Sequence, residues 1–409
     1  MPTFPAMAPV RQHLTTQKIA DPYTHVRTQL ARSPLLNQVQ PGMRIAVGVG
    51  SRGISAIHPT VTAVVDELKD RQAAPFLVPA MGSHGGGTAA GQHAVLVGYG
   101  LGEEALGVPI HSDMEAVQIA ATDGGMPVYF DRFAAEADGI IVVNRIKPHT
   151  SFRARWESGL MKMLAVGLGK RQGAATLHAW GIDRAFPQAA RVILGTMPVL
   201  GGVGIVENGH HEPAEIAVLA ATEMEEQEPA LLETAWTHFP RIPLDQLDLL
   251  VLQQIGKDIS GTGMDLNVVG MWRRSGGAVT PDYRRLAVLD LTPNSHGNGI
   301  GVGYADLIPQ RLYDKIDWPA TYTNCLTSAN FNGAKAPITL PTDRDVLLAG
   351  LPGHEPELAR IVIACNTLDL ETFWVSAPLL DDVAKQPQLE QIGPVQPVQF
   401  DEAGNFISA

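Results

Sequence analysis

The chain has 409 residues, 45% of them apolar and 18% charged, enough to bury the cores of two or three globular domains. Forty-two acidic against 30 basic residues give a net charge of −12, which argues against a general nucleic-acid or anionic-membrane binder, since both need a basic face. Cys325 and Cys365 lie outside any CxxC pair, the N-terminus has no long apolar run, and no stretch approaches the roughly 18–20 apolar residues of a membrane span, so a reduced, soluble, cytoplasmic protein is expected.

Residues 1–40 read as a lead-in with a helix near 22–32, and the first strand is expected at 44–49 (RIAVGV), after the Pro41-Gly42 turn. A helix over 59–70 follows, with Pro59 suited to its first turn. A second strand at 75–81 runs into the loop GSHGGGT (82–88), and a helix over 89–98 comes next. Short strand-like pieces occupy 104–130. The apolar strand GIIVVN (139–144) then leads into RIKPHTSFRARWESGLMKMLAVGLGKRQGAATLH (145–178), followed by a helix near 184–196, a strand at 201–207 and a helix over 213–235.

The segment THFPRIPLDQ (237–246) carries two prolines and separates two α/β patterns. It predicts an N-terminal domain over 1–240 and a C-terminal domain over 241–384, with the tail 385–409 placed back against the first. The second domain holds strands at 247–254, 284–292 and 360–366, a glycine-rich stretch at 295–306 and a helix near 341–350. Strands alternating with helices predict an α/β fold: two domains with mostly parallel sheets covered on both faces. In such sheets ligands sit beyond the carboxyl ends of the strands. Arg52, His84, Lys147 to His149, and Gln254 to Lys257 all follow strand ends, which points to one site, expected in the cleft between the domains.

GVGSRG (48–53) has the G-x-G-x-x-G spacing of a dinucleotide loop, and a dinucleotide-dependent dehydrogenase is one reading of it. A Rossmann fold then needs an acidic residue at the end of the second strand to hold the ribose, and none occurs between Met81 and Glu103. The glycines more simply turn the chain and leave Arg52 as a fork for a carboxylate, or as a surface ion-pair residue. SHGGGT (83–88) can cradle an anion with backbone N–H groups, or is a structural loop with an incidental histidine. His149 is either hydrogen-bonded structure or a general base. Lys162, between Leu160, Met161, Met163 and Leu164, either snorkels from a helix face or is a desolvated amine used covalently. If wholly helical, the chain from Lys162 to His178 would span roughly 24 Å, so a shared site requires a turn, which Gly167, Gly169 and Gly173 permit. Gln254 and Lys257 bind substrate oxygens or cap a loop, and the same choice holds for His296. His84, His149 and His178 lack a short-range zinc signature such as HExxH, so a hydrolytic zinc site has little support.

Taken in order, these residues resemble the nickel-dependent lactate racemase family, the enzymes that use a nickel-pincer nucleotide. Arg52 matches the family's strand-end arginine, and AMGSH gives His84. Pro148-His149 followed by SGLMK gives Lys162, and a histidine 16 residues further on gives His178. Gln254 and Lys257 match a glutamine and lysine three residues apart in the second domain. The resemblance implies a racemase or epimerase that inverts C2 of a 2-hydroxy acid by reversible hydride transfer to the nickel-pincer nucleotide. It implies Lys162 as the covalent anchor of the pyridinium mononucleotide, with Ser158 and Gly159 beside it, and His178 as the protein ligand to nickel, a metal suited to planar four-coordination and imidazole. It implies His84 and His149 as bases on opposite faces of the substrate carbon, and Arg52, Gln254 and Lys257 as holders of its oxygens.

The sequence departs from that pattern in two places. Val49 stands where an acidic residue is expected shortly before the arginine, and the spacing of 13 from His149 to Lys162 is longer than in the lactate enzymes. The added stretch RARWES brings Arg153, Arg155 and Trp156 near the site. A larger or more polar acid than lactate is therefore expected, a sugar acid or dicarboxylate, with Arg153 or Arg155 reading its distal group; the alternative is that these arginines only face solvent. A non-catalytic nickel or cofactor carrier is the alternative, which the presence of both His84 and His149 disfavours.

Overall fold

The computed structural model describes residues 4–50, 53–82, 84–327 and 330–408. The chain forms two compact units, Thr15–Phe239 and a second composed of Met1–Leu14 with Pro240–Ala409. The first strand of the chain, β1 (Met7–Gln12), precedes the expected start at residue 44 and belongs to the second unit.

The Thr15–Phe239 unit is built on β2 (Arg44–Val49), β3 (Ala74–Pro79), a separate hairpin of β4 (Ala116–Ala121) and β5 (Pro127–Asp131), β6 (Gly139–Arg145), β7 (Val199–Glu207) and β8 (Pro213–Ala220). Its sheet runs β3-β2-β6-β7-β8, with the first four strands parallel and β8 antiparallel to β7. A parallel sheet buried on both faces needs near-continuous apolar runs rather than alternation, and β2 and β6 supply them. Ile45, Val47, Val49, Ile141 and Val143 pack with the helix Ile57–Asp70, through Val61, Val64 and Leu68. Ala46, Ile140 and Val142 face the other way, into a core with Leu160, Leu164, Leu168, Leu177 and Phe186.

One expected helix is divided. Residues 213–235 begin as β8 and turn helical only over Ala221–His238. In β8, Ala214 and Ile216 are buried while Pro213, Glu215 and Ala217 are half-exposed, the two-residue period of a strand. Pairing along the whole of β7 decides against the helix that glutamate and alanine favour.

The second unit carries β9 (Leu249–Ile255), β10 (Leu286–Leu291), β11 (Leu307–Pro309), β12 (Ile338–Leu340), β13 (Ile361–Ala364), β14 (Thr372–Ser376) and β15 (Leu389–Gln391). They form one sheet with β1 in the order β12-β11-β10-β9-β13-β14-β1-β15. The five strands from β12 to β13 are parallel, and β14, β1 and β15 extend the sheet antiparallel. Pairing of β15 with β1 puts the start of the tail in this unit's sheet. Both units are thus mixed α/β with mostly parallel sheets. No helix among the described residues is long and apolar enough to cross a membrane.

Candidate active site

In the Thr15–Phe239 sheet Val49 is level with Pro79 and with Val143, so β2 and β3 end together and β6 continues past them to Arg145. The loops that leave this edge carry the candidate residues. Arg52 itself lies outside the described residues, but the chain just after it is well anchored. Arg145, at the end of β6, pairs with Glu207 at the end of β7 and donates to the Gly53 carbonyl, 3.3 Å. Glu207 in turn accepts the Ser55 N–H, 2.9 Å. A Cβ at Gly50 would collide with Asn144 Oδ1. Close packing against β6 is thus a sufficient reason for this glycine of the G-x-G-x-x-G spacing.

After β3 the chain turns through Gly82 and reaches His84, half-buried. Gly82 donates to the Gly167 carbonyl, 3.0 Å, so this loop rests on the segment that follows Lys162. Gly85, Gly86 and Gly87 all have positive φ, between 63° and 69°, a region open to glycine at little cost. Gln92 holds the loop from below. Fully buried, it donates its amide to the carbonyls of Gly82 (2.9 Å) and His84 (3.2 Å). Sequence reasoning missed Gln92, whose only signal is a polar residue on the inward face of a helix that Thr88 caps.

The loop after β6 closes on itself, with Lys147 and Ser158 paired backbone to backbone at 2.9 and 3.2 Å. Inside it, His149 stacks on Phe152 with 4.1 Å between ring centres. Its Nδ1 accepts the Ser151 N–H, 3.1 Å, an arrangement that places the proton of the neutral imidazole on Nε2. Glu157 holds the backbone of the same loop, accepting the N–H groups of His149 (2.5 Å) and Ala154 (3.4 Å).

Gly159 begins the helical segment of Lys162. Its carbonyl accepts from Asn144 (3.2 Å) and from the Met163 N–H (3.0 Å), and an added Cβ would strike the Glu228 carboxylate. Glu228, on the helix Ala221–His238, accepts the Met161 N–H at 2.9 Å. It is 1% exposed, and burial pushes its carboxyl up to about 7 against the pull of the Met161 and Leu160 N–H groups. The segment runs as Leu160–Lys162, then a π-helical turn Met163–Gly167 closed by Leu168 N–H to Met163 O, 2.9 Å. Such turns recur at functional sites. Lys162 is half-buried.

The chain then reverses, but not at a glycine. Lys170 takes φ +54° and starts the helix Lys170–Ala179. This lysine is fully buried, bonded to the Pro79 carbonyl (2.7 Å) and paired with the equally buried Asp131 (2.8 Å). Two strong tethers hold a left-handed φ that a non-glycine residue resists. Gly167 and Gly169 serve contact instead: added Cβ atoms would run into Met163 Sδ and the Ala165 carbonyl, respectively. His178 is exposed on the last turn of that helix. Among the described residues no three His, Cys, Asp or Glu side chains converge as a metal site, so His84, His149 and His178 do not form one.

Residues 12–186 match the family model described as the lactate racemase N-terminal domain. That segment, less than half of the chain, is where the sequence is similar to lactate racemases. The solved lactate racemase apoprotein from Thermoanaerobacterium thermosaccharolyticum is similar in structure, with a TM-score of 0.46 and 13% identity, over 67% of this chain and 67% of that one. No curated protein sequence matches. The lactate racemase match covers His84, His149, Ser158, Gly159, Lys162 and His178, and stops short of the second unit's Pro240–Ala409 segment.

The two arginines of RARWES take different places. Arg155 points to Glu226, 2.6 Å away, and lies over Trp156; both charged side chains are well exposed. Arg153 lies over Trp236 at 4.4 Å, donates to the His149 carbonyl at 3.1 Å and is 3.8 Å from Glu157. Of the two, Arg153 is the one held against the histidine loop. In the second unit, Gln254 is the last but one residue of β9, with its N–H on the Cys365 carbonyl, 2.9 Å. Lys257 donates to the Gly261 carbonyl and to Asn324, both at 2.9 Å. His296 is exposed, in a left-handed conformation.

Proposed function

We propose that the protein is a racemase or epimerase that inverts C2 of a 2-hydroxy acid. The observation that supports this most is two histidines on separate strand-end loops, after β3 and after β6, with a half-buried lysine on the helical segment that follows the second loop. Inversion requires proton transfer from two directions, and His84 and His149 approach the sheet edge from different strands. With Nδ1 engaged by Ser151, His149 holds a proton at Nε2 that it can share with a substrate oxygen. His84 is proposed as the partner that takes the hydroxyl proton from the other side; for the opposite enantiomer His149 takes that proton at Nε2, which requires its ring to give up the Ser151 contact and carry its own proton on Nδ1. Gln254 and Lys257 are proposed to hold substrate oxygens in the second unit.

The residues present suit a nickel-pincer nucleotide. Lys162 is accessible enough to be acylated, yet fixed by a capped and tightly packed turn. The exposed imidazole of His178 suits a nickel that takes its other ligands from the nucleotide. Lys162 would anchor the group, with Ser158 and Gly159 at its base, and His178 would ligate the metal. When bound, the group supplies a hydride acceptor for the substrate carbon. Arg153, fixed on Trp236 against the His149 loop, is proposed to read a distal polar group of an acid larger than lactate, a sugar acid or dicarboxylate.

The test uses protein produced together with the enzymes that make the nucleotide. Intact-mass spectrometry should show an adduct that is lost in Lys162→Ala. Deuterium exchange at C2, screened over a panel of 2-hydroxy acids, should identify a substrate better than lactate. Neither adduct nor exchange on any acid would sink the proposal, and fastest exchange on lactate would sink its substrate arm.

A further inference from the structure

The glycine-rich stretch that follows β10 has no part in the proposed chemistry, yet it reaches Lys257 from two sides. Ser295 is buried, and its Oγ accepts the Lys257 backbone N–H at 2.9 Å. Three residues on, Asn298 donates its amide to Asn324 Oδ1 (3.3 Å), and the same oxygen accepts from the Lys257 ammonium (2.9 Å). Asn324 stands on the helix Trp318–Thr327. Two further bonds stitch the stretch to the start of that helix: the Asp317 N–H meets the Gly297 carbonyl (2.8 Å), and the Gly299 N–H meets the buried Thr321 Oγ1 (2.9 Å). A Cβ added at Gly299 would run into Ile316, so glycine lets the two segments approach this closely.

We propose that Asn324 is a positioning residue for Lys257, held in register by the glycine-rich stretch. A lysine ammonium is a point charge on a flexible four-carbon stem, with three donors. Two of them go to the Gly261 carbonyl and to Asn324 Oδ1, both at 2.9 Å, and the tetrahedral nitrogen then sets the direction of the third. Asn324 Oδ1, between two donors, has its own orientation fixed by the Asn298 amide. Both acceptors are neutral, so neither cancels the charge that an anionic substrate would seek. The consequence for substrate rests on the proposed role of Lys257 in holding its oxygens; the positioning does not.

The first test uses the full-length protein with isotopically labelled lysines, without nucleotide or substrate, and reads ammonium hydrogen exchange by NMR. The Lys257 signal is the one lost in Lys257→Met. In Asn324→Ala its hydrogens should exchange with water about tenfold faster than in wild type, the weight of one hydrogen bond to a charged group. Asn324→Asp keeps an acceptor oxygen at the same place and should keep the exchange slow. The Lys170 ammonium, buried in the other unit, should not change in either variant. Alanine suits a helix; should Asn324→Ala nonetheless fail to fold, Asn324→Ser is read in the same way. Unchanged exchange on loss of the amide overturns the proposal, as does a wild-type ammonium that already exchanges too fast to be seen. Equally fast exchange in Asn324→Ala and Asn324→Asp also overturns it, since Asn324 would then only support its helix. The second test uses enzyme made with the nucleotide and the best acid of the panel. Asn324→Ala should raise KM about tenfold and leave kcat, the mark of a weaker hold on the bound acid. Added to Lys257→Met it should change nothing further, because it acts through that lysine, and additive losses overturn the proposal. Turnover of no acid at all would instead sink the proposed function, and the exchange measurement would still decide this one.

Discussion

Glu228 makes the clearest pH-dependent expectation. Its carboxyl is raised from the ordinary 4.5 to about 7 by burial, so its neutral form is the one the fold prefers. The stability this confers is fully present below about pH 4.5 and lost as pH rises through 7. Glu228→Gln should therefore match wild type near pH 4.5 and exceed it at pH 8, by on the order of 3 kcal/mol, in urea unfolding at the two pH values. The Lys170–Asp131 pair behaves differently because both partners are charged. Lys170→Met should cost about 3–5 kcal/mol by stranding a buried carboxylate. Lys170→Met with Asp131→Asn should recover much of it, since an asparagine side chain would still cap the Ala134 N–H that Asp131 holds at 2.8 Å. Which lysine is buried was not legible in the sequence. Lys162 lies in the more apolar run, yet Lys170, flanked by Gly169 and Arg171, is the one sealed inside. Its partners, Pro79 and Asp131, lie far away in the chain, and no local pattern reveals them. The sequence could not divide Arg153 from Arg155 either, since Trp236 and Glu226 sit on a distant helix.

Strand-end loops were legible because parallel strands, buried on both faces, are apolar runs with polar residues placed just beyond them. Thus β6 and the loop to His149 stand out, as do β3 and the loop to His84. The π-helical turn was not legible, because it arises from packing: Gly167 is pressed between Met163 and the Ala80 carbonyl. Gly167→Ala would bring its Cβ to 2.7 Å from that carbonyl oxygen. Overpacking of this kind costs about 1–3 kcal/mol, and calorimetry should show it as a lowered Tm. The strain falls on the turn carrying Lys162, so adduct formation should fall further than stability alone accounts for. The strand β8 was misread as helix for a related reason: its partner β7, not its own composition, decides its conformation.

The chain passes from one unit to the other at Phe239–Pro240, inside the two-proline segment 237–246, whereas the discontinuity of the second unit has no local signal. Nothing in residues 7–12 announces that they pair with 372–376 and 389–391. Removing residues 1–14 should therefore leave the Thr15–Phe239 unit intact and loosen the sheet of the other. Hydrogen exchange should show faster exchange in β14 and β15 and little change in β2 or β6. The larger unit also begins and ends at nearly one point, for Thr15 Oγ1 and His238 Nδ1 are 2.8 Å apart. A segment whose two ends meet can be lifted out of a chain, or set into one, without asking its host to stretch. The part bearing His84, His149 and Lys162 is in this sense a cassette, threaded between the first strand of another domain and the remainder. A ribosome releases that first strand long before its partners exist, so it must wait, unpaired, while the whole cassette folds.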